Sequence, residues 1–229
     1  PAGDATPPPA GRFSCGEAGH VSEPSGWLPG LIALLAVTGS FVLSGHLLRR
    51  LIVSGWSGPP ALLADLVLGL SLMLVSAQLV GIAGLLSRPA LLIAGGLTLL
   101  ACSAAFRLRG QGTEGGEPAG ATPGRITVPL AIAIAALLLV ASGWITPTLN
   151  SLEAGMYGGD TLWYHMPFSA HFAQTGSITG LLFIDTQYLH SFYPQNSEMV
   201  HAIGIVLVGS DFLSPVINYF WLAFGVLAG

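Results

Sequence analysis

Apolar residues gather in long unbroken blocks along this chain, separated by short joints rich in glycine and proline. A membrane helix needs about 20 such residues, rising 1.5 Å each, to cross a hydrocarbon layer of about 30 Å. Four blocks qualify. They are 27–48, followed directly by Arg49 and Arg50; 61–86, with Asp65 near its start; 89–106, followed by Arg107 and Arg109; and 126–145, which follows Arg125 and holds no ionisable residue. Residues 131–140 are aliphatic on every side, as a span is and a surface helix is not. A fifth block, 212–228, runs to the end of the sequence. The expected fold is all-α: a polytopic membrane helix bundle with an extracytoplasmic loop carrying membrane-surface helices.

Composition strengthens that reading. Only 8% of the 229 residues are charged and 52% are hydrophobic, whereas a typical soluble domain is about 25% charged. All basic residues are arginines, the net charge of −4 is scattered, and no basic cluster points to nucleic acid. Cys15 lies in a polar stretch and Cys102 in an apolar one, so neither a disulfide framework nor a CxxC metal site is expected. Residues 1–26 are too polar to bury a core and lack the apolar region of a signal peptide; they read as a flexible tail. A chain that starts without Met and stops inside an apolar run is expected to be a piece of a longer protein.

Arginine placement orients the spans, because cytoplasmic loops carry the excess of positive charge. With Arg49 and Arg50 and the 107–125 linker inside, five arginines are cytoplasmic, and Arg12 and Arg88 are outside. The chain then divides into a tail (1–26), three leading transmembrane helices (27–106), a cytoplasmic glycine-rich linker (107–125) and a final module (126–229) whose loop faces outward. Asp65, only four residues past Ala61, reads as an acid near the cytoplasmic interface, and His46 sits near the same level. Gly81, Gly84, Gly95 and Gly96 read as positions of close helix packing.

Chemistry concentrates between residues 151 and 208, which hold four of the six histidines. Gly158 and Gly159 allow a turn, and Asp160 and Thr161 supply helix-capping chemistry before a helix over 162–174 that Gly176 ends. At about 100° per residue, Leu162, Met166, Ala170 and Ala173 form an aliphatic arc expected to face lipid or neighbouring spans. Tyr164, His165, Phe168, His171 and Phe172 lie on the other side. Pro167 either starts the regular helix or kinks it. Asp160 shares a stripe with Tyr164 and His171, so it is either an N-cap or an acid that takes a proton or holds a substrate hydroxyl. Spacings of five and six do not bring Asp160, His165 and His171 together as metal ligands on one helix. Further on, Pro194 makes Tyr193 extended, Asn196 or Ser197 caps a helix near Glu198, and residues 199–208 are too short to span alone. They form a second surface helix or a re-entry interrupted at Gly209. His201 reads as a packed interfacial histidine, and Asp185 as a loop acid.

These residues resemble a known group. An apolar span leading to GGDTLWYHMPFSAHFAQTG, then FYPQNSE and another apolar run, is similar to the start of GT-C class membrane glycosyltransferases, among them the protein O-mannosyltransferase and aminoarabinose-transferase group. The resemblance covers 126–229. Its most informative pattern is Asp160, Tyr164, His165 and Pro167, with Tyr193, Pro194 and Glu198 downstream; where the family often has two adjacent acids, Gly159 precedes Asp160 here. The resemblance implies sugar transfer on the outer face of the plasma membrane, from a polyprenyl-phosphate sugar to an acceptor glycan, lipid or protein. It implies Asp160 as catalytic base and Tyr164, His165, His171, Tyr193 and Glu198 as substrate-binding residues. No organic cofactor is implied, and a divalent metal is compatible with the reaction. No arginine lies between 146 and 229 to hold the donor phosphate, so this piece is expected to be an incomplete catalyst. The alternative is a non-catalytic polytopic protein: a transporter segment, or an assembly subunit that binds lipid or polymer.

Overall fold

A computed structural model describes residues 27–110, 128–181 and 193–228. The expectations for the tail, the glycine-rich linker, Asp185 and His190 lie outside the described residues. Within them the chain is an all-α bundle. Five segments are long and apolar enough to cross a membrane: Trp27–Ile52, Pro59–Ile82, Arg88–Arg109, Ile134–Ala154 and Asp211–Ala228.

Helices α1 (Trp27–Ile52), α2 (Pro59–Ile82) and α3 (Arg88–Gly110) form an antiparallel group joined by short turns. Helices α1 and α2 cross where side chains vanish. A Cβ on Gly45 would collide with the backbone oxygen of Asp65, and one on Gly69 would lie 2.9 Å from the carbonyl oxygen of Phe41. Of the glycines expected to serve packing, Gly81 receives the side chain of Ile178, Gly95 makes only ordinary contact, Gly96 has open space, and Gly84 (φ 70°) serves a turn. The decisive pair, Gly45 and Gly69, stands 24 residues apart in sequence, and the crossing appears only once the helices are paired.

That crossing also encloses Asp65. Its carboxylate accepts from Arg49 Nε at 2.5 Å and bonds His46 Nδ1 at 2.9 Å, while Arg49 Nη1 donates to the Trp56 carbonyl at 3.1 Å. The sequence placed Asp65 near the cytoplasmic interface; the fold buries it there together with Arg49. A carboxylate within reach of a guidanidinium fork trades water for charge-assisted hydrogen bonds.

Helix α4 (Val128–Gly143) is apolar on all sides and, where described, unburied, as a lipid-facing helix is. It bends rather than ends at residue 145. Gly143 closes α4, Trp144 makes a tighter bond to Ala141 (3.1 Å), and α5 (Ile145–Ala154) continues with Pro147 in its first turn, where a missing N–H is tolerated. The helical run thus begins at Val128, close to the expected start, and α5 carries it to Ala154, past the expected end at 145.

Two short helices lie beside the first three spans. Helix α6 (Met166–Thr175) ends at Gly176 in the left-handed conformation (φ 70°), and α7 (Asn196–Val208) at Gly209 (φ 89°). The segment after α6 is pinned to the end of α2 and the turn that follows it: Leu86 N–H donates to Gly176 O (2.9 Å) and Ile178 N–H to Gly81 O (3.2 Å). The helix faces differ from expectation. Phe168 and Phe172, on the aromatic side of α6, are fully buried with Phe41, Met73, Ala77 and the apolar residues of α7, while Leu162 of the aliphatic arc is exposed. Two buried phenylalanines remove far more apolar area from water than two alanines. Helix α7 also packs into the bundle: Met199, Ala202, Ile203 and Leu207 are in the core, and Gly30 of α1 packs against the backbone of Val208. A 3-10 turn (Asp211–Val216), begun by Ser210 Oγ accepting from Phe212 N–H, then leads into α8 (Ile217–Ala228).

Candidate functional site

Pro167 shapes the site. In a regular helix its ring would clash with the Trp163 carbonyl and leave it without a donor. The chain instead widens into a π-helical turn, Thr161–His165, in which Met166 N–H reaches back to Thr161 O, and α6 then starts with Pro167 in its first turn. A widened turn of this kind rotates side chains off the helical stripe, and such turns recur at functional sites. Of the two roles expected for Pro167, starting the regular helix or kinking it, the structure shows the first.

The turn presents His165 to α7. Its Nδ1 hydrogen-bonds Glu198 Oε1, across 33 residues of sequence, while Ser169 Oγ donates to the His165 carbonyl at 2.7 Å. Glu198 occupies the first turn of α7, where the helix dipole favours an acid. It is 2% exposed, and its Oε2 is buried with no hydrogen-bond partner. His201, one turn further along α7, likewise buries an Nδ1 without a partner, and burial pushes its imidazole below the usual range. Asn196, expected as a possible cap, instead accepts from Gln78 of α2 at 2.9 Å.

Tyr164 stands over this pair. Its ring lies 4.1 Å from that of His165 and meets Tyr193 edge-on at 6.3 Å. Partial burial, and then the charges of Asp160 and Glu198, push its phenol above the ordinary tyrosine range. Asp160 is exposed just before the π-helical turn and makes no capping hydrogen bond, so its carboxylate is not spent on the helix. His171 is elsewhere: its Nε2 bonds the Thr179 carbonyl at 3.0 Å and clips the end of α6 to the following segment. The structure thus gathers Tyr164, His165, Tyr193 and Glu198, sets Asp160 beside them and separates His171. Among the described residues, no group of three His, Cys, Asp or Glu is arranged to hold a metal ion.

A cavity of about 620 Å³ opens against His165 and His201, within the usual range for small-molecule sites of about 300–1,000 Å³. Its other walls come from Trp144, Thr148 and Ser151 on the bent fourth span, Tyr157 and Thr161 before and in the turn, and Ser214, Asn218 and Trp221 on the last span. The wall mixes hydroxyl, amide, imidazole and aromatic groups with the apolar side chains of Pro147, Met156, Met166 and Pro215, and among the described residues it holds no carboxylate or guanidinium. Sequence reasoning missed the contributions of both spans. The signal was there: Thr148 and Ser151, and Ser214, Asn218 and Trp221, repeat at helical spacing within otherwise apolar runs.

No family model, characterised protein or solved structure matches this chain.

Proposed function

We propose that this chain forms part of a membrane glycosyltransferase that moves a sugar from a polyprenyl-phosphate donor to an acceptor hydroxyl. The observation that carries the reading is the cavity itself. A sugar offers hydroxyls around its rim and C–H faces above and below; the walls offer Thr148, Ser151, Thr161, Ser214 and Asn218 for the former and Trp144, Tyr157 and Trp221 for the latter. The two apolar spans that frame the cavity expose Leu138, Leu139, Val140, Phe220 and Val226, a surface suited to a prenyl chain in the bilayer. The arginine distribution supports an orientation with this cavity on the outer side of the membrane. By the resemblance, Asp160 is the acid at the reacting centre, and its position beside the Tyr164–His165 turn keeps it within the same neighbourhood.

The test uses the full-length protein in membranes supplied with radiolabelled polyprenyl-phosphate sugars, with the natural sequence beside Asp160→Asn. Transfer by the natural protein that falls by orders of magnitude in the variant, at equal protein level and donor binding, is the expected result. Donor binding with no transfer by either form would reassign the cavity to lipid or polymer binding, or to transport.

A further inference from the structure

We infer that the proton acceptor of the cavity is the His165 imidazole, oriented by the Glu198 carboxylate behind it. This deepens the transferase reading and rests on it. The geometry divides the two side chains cleanly. His165 lines the cavity and keeps 35% of its side chain exposed, whereas Glu198 does not line it and keeps only 3%. Nδ1 is bonded to Glu198. A neutral imidazole with Nδ1–H donated to a carboxylate carries its lone pair on Nε2, and the second ring nitrogen of a histidine is set by the bond the first one makes. Among the described residues, that bond to Glu198 is the only hydrogen bond made by the His165 ring. Nε2 is therefore the open position.

The second imidazole of the cavity lacks this arrangement. His201 is largely buried and has no carboxylate on its Nδ1, and burial pushes its imidazole below the usual range. The other titratable groups near His165 are Tyr164 on its own turn, Tyr193 ahead of α7, Asp160 before the turn, and Tyr157 in the wall. The walls from α5, the 3-10 turn and α8 bring no charged side chain. Asp160 is not among the residues that line the cavity, whereas the His165 imidazole is, and histidine is the side chain most often used for general acid–base work.

The step balances as follows. The acceptor O–H gives its proton to His165 Nε2, and the oxygen pair so freed forms the bond to the anomeric carbon. The bond from that carbon to the donor phosphate oxygen breaks, and its electron pair leaves on polyprenyl phosphate. Glu198 faces the resulting imidazolium, which returns its proton to water through the cavity mouth. Asp160 then serves as a counter-charge to the anomeric carbon. His165 is the catalytic residue in this scheme and Glu198 a positioning residue.

The experiment is a pH–rate profile of sugar transfer by the full-length protein in membranes, for the natural sequence and for His165→Gln, Glu198→Gln, Glu198→Asp and Asp160→Asn, with melting temperature and donor binding measured on each. The natural rate is expected to show an acid limb, falling where a proton occupies the imidazole acceptor. His165→Gln is expected to lose about 10²- to 10⁴-fold in rate and to lose the limb, with donor binding retained. Glu198→Gln shifts the limb and Glu198→Asp recovers part of the rate, which a purely structural glutamate would not do. Asp160→Asn lowers the rate and leaves the limb in place. A His165→Gln protein that keeps the natural rate and limb overturns the inference while leaving the transferase reading intact, as does a limb that vanishes with Asp160→Asn instead. No transfer by the natural protein with any donor overturns the transferase reading and the inference together.

Discussion

The bundle holds two clusters of one carboxylate with histidine, and they are built to opposite ends. At the α1–α2 crossing, Asp65 spends both oxygens: Oδ1 on Arg49 and Oδ2 on His46, with Arg49 also tied to the Trp56 carbonyl. At the α6–α7 contact, Glu198 spends one oxygen on His165 and leaves the other buried and unpartnered, beside an unpartnered nitrogen of His201. The first cluster borders a crossing so tight that two glycines are needed; the second borders a cavity. A satisfied buried network fixes geometry, and an unsatisfied one keeps a group ready to act at a cost in stability.

Breaking the first cluster should hurt folding most. Asp65→Ala leaves the Arg49 guanidinium buried and unpaired, with an expected loss of about 3–5 kcal/mol, read by denaturant unfolding in detergent. The double change Arg49→Met with Asp65→Leu should recover most of that, since an apolar pair of similar volume replaces a buried ion pair at little cost. Failure to recover would mean that the ions do more than hold the crossing.

Next comes the crossing itself. Gly45→Ala should cost about 1–3 kcal/mol by overpacking against the Asp65 backbone, whereas Gly96→Ala, with open space around it, should stay within about 0.5 kcal/mol. Equal effects in melting experiments would put the α1–α2 contact elsewhere.

The second cluster should show the reverse balance. Glu198→Gln keeps the shape and one acceptor, so an unfolding change below about 1.5 kcal/mol is expected, together with a loss of transfer. A large stability loss without loss of transfer would make Glu198 as structural as Asp65.

The smallest effect is a pH dependence. The folded protein holds His201 below its ordinary value, so as pH falls past about 6.5 the unfolded chain takes up a proton that the folded one refuses. Stability from this residue is complete above that pH and declines through the acid side as pH drops toward the folded value. Melting temperature against pH should fall less steeply for His201→Gln than for the natural protein; parallel curves would show that another group sets the slope.

Much of the architecture was written in apolar run length. Blocks of about 20 residues have one stable solution in a bilayer, a helix with its backbone bonds satisfied internally, and the five spans follow from it with ends moved by a few residues. The fourth extends furthest past its expected end, since α5 carries Pro147 in its first turn, where a missing N–H is harmless. The segment rich in histidine and tyrosine was also visible, and with it four of the residues that the structure gathers.

What remained depended on which surfaces meet. A helical wheel gives two faces of α6 but not which one a neighbour covers, and Phe168 and Phe172 went inward because α1, α2 and α7 offered them a core. The bond from His165 to Glu198 spans 33 residues and needs the π-helical turn at Pro167, which shifts His165 off its expected stripe. Asp65 gave no sign in sequence of its partner, Arg49, 16 residues away on another helix. Local pattern is set by the period of a helix and the thickness of a membrane, and both are properties of a short stretch of chain. Partnership between distant polar groups is set by packing, and only the folded bundle decides it.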